Sequence, residues 1–220
     1  LLAGTQDGLY LLEDDHFVQQ GLTTGLQPGL DVTAIHELAN GDWVVGSLDQ
    51  NLHIRHAGHW QRLSQEQGLQ DNPAFYITED STGYLWITGI RGVERLPIAD
   101  IARLRDGKIK KIDAEMVLNE RGDRRSGQQG FCCNGAGNSK GFIDNGVLWL
   151  PSRDGVVTLD TQGIVKNPVP PEVVIERLQF EDAWHDVSAG QDMVLPEDAR
   201  DLAFEFTAFS FQDPASATLS

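Results

Sequence analysis

The sequence is poor in cysteine and in positive charge, and each shortage narrows the classes of protein to which it can belong. Among 220 residues there are two cysteines, and 17 Lys and Arg stand against 33 Asp and Glu, for a formal net charge of −16. We expect neither nucleic acid nor an anionic membrane surface as a partner, because both require a cationic face. No run of about 18 apolar residues is present, so we expect no membrane-spanning helix within these residues.

Motifs that carry catalytic or metal chemistry are also missing. There is no Gly-x-Ser-x-Gly elbow, no phosphate-cradling loop and no zinc-hydrolase helix. Cys132 and Cys133 are adjacent, which is not the paired spacing of a zinc site. We expect two separate thiols there, and a vicinal disulfide is the alternative if the chain is extracytoplasmic. His53, His56 and His59 lie three apart, so on a strand they alternate between faces, and we expect surface histidines. We therefore predict no catalytic residue, no metal and no cofactor.

The sequence does contain a short pattern that recurs. Residues 83–96 read "GYLWITGIRGVERL", residues 146–159 read "GVLWLPSRDGVVTL", and a third copy is "LLAGTQDGLYLL" at 1–12, where Leu2 aligns with Trp86. A looser copy, "GDWVVGSLDQNLHI" at 41–54, needs a one-residue insertion after its Trp. A repeat length in the low forties, with several short strands in each copy, is typical of β-propeller blades. We predict an all-β chain in which residues 1–167 form about four blades, the first incomplete. Trp43, Trp86 and Trp149 would occupy equivalent strand positions and pack between adjacent blades.

One repeat shows the expected local structure in detail. The segment "AFYITED" (74–80) has the aromatic and β-branched residues of a strand, and "YLWIT" (84–88) is the next strand. Between them, Asp80 is placed to cap a turn in which Gly83 adopts a positive φ angle. The sequence therefore predicts a tight hairpin at this point of the repeat.

The spacing from Trp86 to Trp149 is longer, because residues 97–142 interrupt the pattern. Ile98, Ile101, Ala102 and Leu104 follow a helical spacing, with Gly107 as the stop, so we predict a short helix. A polar, Gly-rich loop follows.

Long loops in compact β-domains often carry function. We hypothesise that Arg124, Arg125 and Asn134 of this loop face the ligand. The alternative is a solvated loop, or arginines that pair with carboxylates of neighbouring blades.

The tail from residue 168 to residue 220 has a different character. Pro168, Pro170 and Pro171 form a stiff connector, and "EVVIERLQFED" then alternates as a strand with one buried face does. Residues 193–214 predict another pair of strands, with Leu202, Phe204 and Phe206 on one face. This tail predicts the start of a small Ig-like β-sandwich with too few strands to be complete.

The order of these features resembles the two-component-regulator propeller family, which has the same succession of turn Gly, strand Trp and second Gly. "PPEVVIERLQFED" and "DLAFEFTAFSFQDP" resemble the opening of the Tyr-rich β-sandwich domain that follows such propellers. The loop "NGAG" (134–137) stands where the family usually carries an Asn-Gly-Gly type loop. The Gly-Thr of the repeat is kept only at Gly4-Thr5, which indicates divergent blades.

The resemblance implies the periplasmic sensor region of an inner-membrane protein. Further blades would precede Leu1, and a membrane helix and a cytoplasmic histidine kinase or diguanylate cyclase (GGDEF) domain would follow Ser220. This region would bind a small molecule or an oligosaccharide, form a homodimer through the sandwich and carry no chemistry of its own. The alternatives are a secreted propeller enzyme that acts on polysaccharide, and a protein-interaction scaffold.

Overall fold

The computed structural model describes eleven stretches of the chain: residues 1–21, 24–49, 51–70, 73–89, 92–119, 140–152, 155–164, 172–180, 183–187, 192–195 and 200–209. The chain divides into two compact units, Leu1–Ile164 and Val165–Ser220. The functional boundary between blades and sandwich, which we predict between residues 167 and 168, stays a prediction. The all-β class is confirmed, since every sheet is antiparallel and the described residues contain a single short α-helix.

In the first unit, each copy of the repeat forms its own antiparallel sheet. Sheet 1 contains β1 (Leu2–Thr5), β2 (Gly8–Glu13) and β3 (His16–Gln19). Sheet 2 contains β4 (Val32–Glu37), β5 (Trp43–Ser47), β6 (Leu52–His56) and β7 (His59–Leu63). Sheet 3 contains β8 (Tyr76–Glu79), β9 (Tyr84–Gly89), β10 (Gly92–Pro97) and β11 (Glu115–Asn119). Sheet 4 contains β12 (Phe142–Asp144), β13 (Val147–Ser152) and β14 (Gly155–Asp160). Strands that follow one another along the chain are neighbours in each of these four sheets.

The four sheets pack in chain order through three separate apolar clusters. Leu9 of sheet 1 meets Val45 and Trp60 of sheet 2, together with two leucines of the connection between these sheets. The largest cluster lies between sheets 2 and 3 and includes Val44 and Ile87. The third joins sheets 3 and 4, and its members are Trp86, Val93, Leu148 and Leu150. Because successive strand residues point to opposite faces, each inner sheet contributes alternate residues to the clusters on its two sides.

The predicted hairpin of the third repeat is confirmed. Asp80 Oδ1 accepts the backbone N–H groups of Thr82 and Tyr84 at 2.8 and 3.0 Å, and Asp80 Oδ2 accepts the indole N–H of Trp86 at 2.7 Å. Gly83 has φ +92°, a conformation that costs glycine little because it has no Cβ. One carboxylate thus fixes both the turn and the ring of the tryptophan that follows it.

The three tryptophans differ in position. Trp86 is completely buried between sheets 3 and 4. Trp149 occupies the matching position of β13, but its ring is 38% exposed and stacks on Phe142. Its packing between two blades stays a prediction. Trp43 packs towards sheet 1, on the face opposite to the one that Trp86 uses in its own sheet. This differs from the predicted equivalence. Trp43 follows the turn glycine Gly41 by two residues and Trp86 follows Gly83 by three, and a shift of one residue reverses the face of a side chain.

The interrupting segment is partly as predicted. Helix α1 spans Ile98–Arg105, and the turn after it closes with the N–H of Gly107 bonded to the carbonyl of Leu104. Residues 115–119 then form β11, which completes sheet 3 beside β10. Sequence reasoning missed this strand, because "EMVLN" is short and residues 98–114 separate it from its partner strand β10.

The described part of the second unit is a three-stranded sheet in the order β16-β15-β17, where β15 is Glu172–Phe180, β16 is Ala183–Asp186 and β17 is Ala203–Phe209. The prediction that Phe204 and Phe206 share a face is confirmed by their pairing with Leu178 and Ile175. The opposite face carries Arg177, which forms ion pairs with Asp186 and Glu205. This sheet therefore has one apolar face and one charged face.

Candidate functional site

A cavity of about 530 Å³ opens where the first strands of successive sheets approach one another. Strand β4 is an edge of sheet 2 and β8 is an edge of sheet 3, so neither has a sheet neighbour on this side among the described residues. Residues 32–36 and residues 75–78 form most of the lining, and Gly4 and Lys140 complete it. This volume falls within the range typical of small-molecule sites.

Lys140 brings a positive charge to the cavity. Its Nζ atom donates a hydrogen bond to the carbonyl oxygen of Thr33 at 2.8 Å, and burial lowers the pKa of this lysine below its usual value. An ammonium group has three donors, and within the described stretches no carboxylate pairs with this one. Among the described residues, the lining contains no Asp or Glu, although the chain has 33 of them.

His36 supplies a second polar group, which is neutral at pH 7. Its Nε2 atom is buried and lacks a hydrogen-bond partner in the part of the chain that the structure describes. Glu79 Oε1 lies 3.7 Å away and accepts the backbone N–H of Ala39 at 2.8 Å. Burial lowers the pKa of His36, and the attraction of Glu79 offsets this only in part.

The rest of the lining mixes hydroxyl groups with apolar surface. Thr33 donates its hydroxyl proton to the carbonyl oxygen of Ala74, which ties the start of β4 to the segment before β8. Tyr76 and Thr78 add hydroxyl-bearing side chains on β8, and Phe75 and Ile35 add apolar surface. Such a lining can hydrogen-bond a polyhydroxylated molecule while an apolar side chain packs on its ring face.

The residues predicted for ligand binding, Arg124, Arg125 and Asn134, lie outside the described residues, and so do Cys132 and Cys133. The hypothesis about the three loop residues stays a prediction. Lys140, at the end of the same interrupting segment, was missed although it stands in the sequence "NSKGF" next to that loop. Thr33 and Tyr76 were missed as well. The available signal was their place on the first strand of each repeat, which becomes the sheet edge that faces the cavity.

The expectation for the three spaced histidines is wrong at His53. This residue is only 2% exposed, because β6 is an interior strand of sheet 2 and His53 lies on the face that packs towards sheet 1. Burial, with a smaller contribution from the cross-strand Arg62, lowers its pKa to about 4. His56 is exposed as expected and lies 2.8 Å from Asp42.

The described residues contain neither a metal-binding cluster nor a membrane-spanning helix. No group of three or more His, Cys, Asp or Glu side chains in those stretches is arranged to hold a metal ion. No helix in them is long and apolar enough to cross a membrane.

Comparison with known proteins gives distant matches. No protein-family model matches the sequence. No curated protein matches it either. Among solved structures, the chain is similar to the extracellular domain of "the putative hybrid two component system BT3049 from B. thetaiotaomicron", with 14% identity and a TM-score of 0.44 over 94% of this chain. It is also similar to the extracellular domain of a second such system from that organism, BT4673, with 16% identity and a TM-score of 0.23 over 73% of this chain.

The chain spans 33% of the first of these two solved chains and 32% of the second. TM-scores of this size do not establish a common fold. The function proposed below therefore rests on the sequence pattern and on the geometry of the cavity.

Proposed function

We propose that this chain is the ligand-binding part of an extracytoplasmic sensor region, located in the periplasm, of a membrane-bound bacterial signal-transduction protein. The observation that carries the proposal is the cavity of about 530 Å³ between the edge strands β4 and β8. The sheets that follow one another in chain order support a β-propeller architecture for the first unit, in which these edges would face the central channel. The output domain of the parent protein would be a histidine kinase or a diguanylate cyclase.

The chemistry of the lining favours a small polyhydroxylated ligand, such as an oligosaccharide. The edges of β4 and β8 present backbone N–H and C=O groups that no other described strand pairs with, and Thr33, Tyr76 and Thr78 add hydroxyl groups. Arg124, Arg125 and Asn134 would extend the site, because the loop that contains them leads directly to Lys140.

The second unit would transmit the signal. Its sheet would be the first half of an Ig-like sandwich, and a homodimer would form through that domain. A ligand can shift such a dimer between two arrangements only if it binds one of them more tightly than the other.

The test is a binding screen with the purified chain. We would measure the thermal midpoint against a panel of oligosaccharides and then determine affinities by calorimetry for the sugars that stabilise the protein. The variant Y76F removes one hydroxyl from the lining, and Y84F is unsuitable as its control because Tyr84 is half-buried and packs against Arg95. Tyr10→Phe in sheet 1 is the better control, since this tyrosine lies outside the cavity lining. We expect weaker binding in Y76F only.

Each competing function gives a different result in the same screen. A polysaccharide-degrading enzyme would release new reducing ends during the incubation. A protein-interaction scaffold would show no stabilisation by any sugar, and that result would contradict the proposal. Stabilisation without turnover, reduced by Y76F, would support it.

A further inference from the structure

The charge distribution around the cavity is the reverse of that of the whole chain. Overall, negative residues outnumber positive ones almost two to one. Around the cavity the only charged lining residue in the described stretches is Lys140, with His36 as a neutral neighbour. Glu79, the residue after the lining residue Thr78, lies 3.7 Å from His36 and accepts the N–H of Ala39.

Lys140 is held in place by a neutral partner. Its hydrogen bond to the carbonyl oxygen of Thr33 positions the ammonium group at the edge of β4 but leaves its charge uncompensated in the described stretches. A partly desolvated ammonium group gains more from an anion than a fully hydrated one does, because the local dielectric constant is lower and less hydration remains to be lost.

We infer that the ligand of this cavity is an anionic sugar, whose carboxylate or sulfate group pairs with the ammonium group of Lys140. The inference rests on the proposed function, since it specifies the chemical class of the ligand for the same site. The sugar ring lies against Phe75 and Tyr76, and its hydroxyl groups bond to the edges of β4 and β8 and to Thr33 and Thr78. The anionic group lies at the Lys140 end.

The test uses matched pairs of probes that differ in charge alone. Digalacturonic acid is compared with its methyl ester, and a sulfated heparin-type disaccharide with its desulfated form, by titration calorimetry on the intact chain. We expect at least one acid to bind about tenfold more tightly than its neutral counterpart, the effect of one charge-assisted hydrogen bond. Its affinity should fall as sodium chloride is added, because salt screens a partly exposed pair.

Three variants assign the effect to Lys140. K140M removes the charge and keeps the length, and should abolish the preference for the acid. K140R keeps the charge and should retain affinity within about threefold, since guanidinium also pairs with carboxylate and sulfate. K108M removes the same charge at an exposed lysine that pairs with Asp106, and should change nothing. Unchanged melting temperatures would show that each variant is folded.

Two results would overturn the inference, and they differ from each other. If neutral sugars bind as tightly as their acids, or K140M binds the acid normally, the anion preference is wrong while the sensor function stands. If no probe of either charge binds, the proposed function fails, and the inference fails with it.

Discussion

Asp80, in the turn between β8 and β9, and Glu94, on β10, are two carboxyl groups of sheet 3 whose surroundings shift their pKa values in opposite directions. Both are largely buried. Burial tends to raise the pKa of Asp80, but the hydrogen bonds from Trp86, Tyr84 and Thr82 outweigh it and lower the pKa. Glu94 accepts one hydrogen bond, from the N–H of Gln70 at 2.7 Å, and burial raises its pKa to about 8. The number of donors that reach the carboxylate therefore decides which form is favoured.

The raised pKa of Glu94 predicts that the protein loses stability as pH rises. The unfolded carboxyl has its pKa near 4.5, so the folded state binds the extra proton between that value and about 8. Stability from this group is complete below pH 4.5 and is lost as pH rises through 8. Between about pH 5 and pH 8, we expect the unfolding free energy of the wild type to fall by roughly 2–4 kcal/mol more than that of E94Q, because the glutamine side chain stays neutral.

Urea unfolding at the two pH values measures this difference. The exposed Glu13→Gln is the control and should follow the wild type. A wild-type stability that changes with pH as that of E94Q does would contradict the prediction.

The lowered pKa of Asp80 predicts the opposite pH dependence of stability. Its contribution is present above the unfolded pKa near 3.8 and disappears as pH falls through the lower, folded value. We expect D80N to destabilise the protein by about 1–3 kcal/mol at pH 7, because an amide N–H cannot accept the indole N–H of Trp86. Chemical denaturation is the measurement, with the exposed Asp144→Asn as control. Equal midpoints for D80N and D144N would show that the indole bond contributes nothing.

At the residue scale, the sequence was sufficient to predict residues whose role depends only on their neighbours in the chain. The turn at Asp80 and Gly83 follows from four consecutive residues, so the pattern alone was sufficient. The burial of His53 and Glu94 depends on which sheet packs on which face, and no local pattern contains that information. Lys140 was missed for the same reason, since its partner Thr33 is more than a hundred residues away in the chain.

At the scale of elements, the segment before β8 approaches sheet 2 closely at Gly46 of β5. A Cβ atom at this position would lie 2.6 Å from the Cβ of Ala74 and 2.8 Å from its carbonyl oxygen. The φ angle of Gly46 is ordinary, so the glycine is required by the close approach and not by its backbone conformation. The same Ala74 carbonyl accepts the hydroxyl of Thr33, which links this contact to the cavity.

We expect G46A to cost about 1–3 kcal/mol, because the backbone before β8 must move away from β5. The matched control is G21A, where an added Cβ meets nothing within 4 Å and φ is also ordinary. Thermal unfolding of both variants would measure the difference. A G46A protein as stable as G21A would mean that the two sheets separate at little cost.

The strands themselves were predictable where the repeat is regular. Strands β8, β9 and β15 lie within the segments that their alternating residues indicate, and α1 follows its helical spacing. Strand β11 was missed because α1 separates it in the chain from β10, its partner strand. A segment as short as residues 115–119 does not indicate by its own sequence which strand it pairs with. The reversed face of Trp43 shows that a one-residue difference in distance from the preceding turn glycine matters more to packing than the alignment of the two tryptophans.

At the scale of the whole molecule, the net charge of −16 predicts self-repulsion in the compact state. We expect the melting temperature to rise by about 2–5 °C between roughly 0.05 and 0.5 M sodium chloride, since salt screens exposed charges. The double variant D14N/D15N removes two charges at residues with positive φ angles, a conformation that asparagine tolerates. Its melting temperature should depend less on salt. A wild type that salt leaves unchanged would indicate that the charges are already balanced locally.

The cavity belongs to no single sheet, and this has a mechanical consequence. Its two main walls, β4 and β8, are edges of sheets that otherwise meet through apolar side chains and the contact at Gly46. A molecule that bonded to both edges would favour the separation of the two sheets that fits its own width. Sugars of different width would then hold the two sheets at different distances. The distance between β4 and β8 would therefore depend on which molecule is bound.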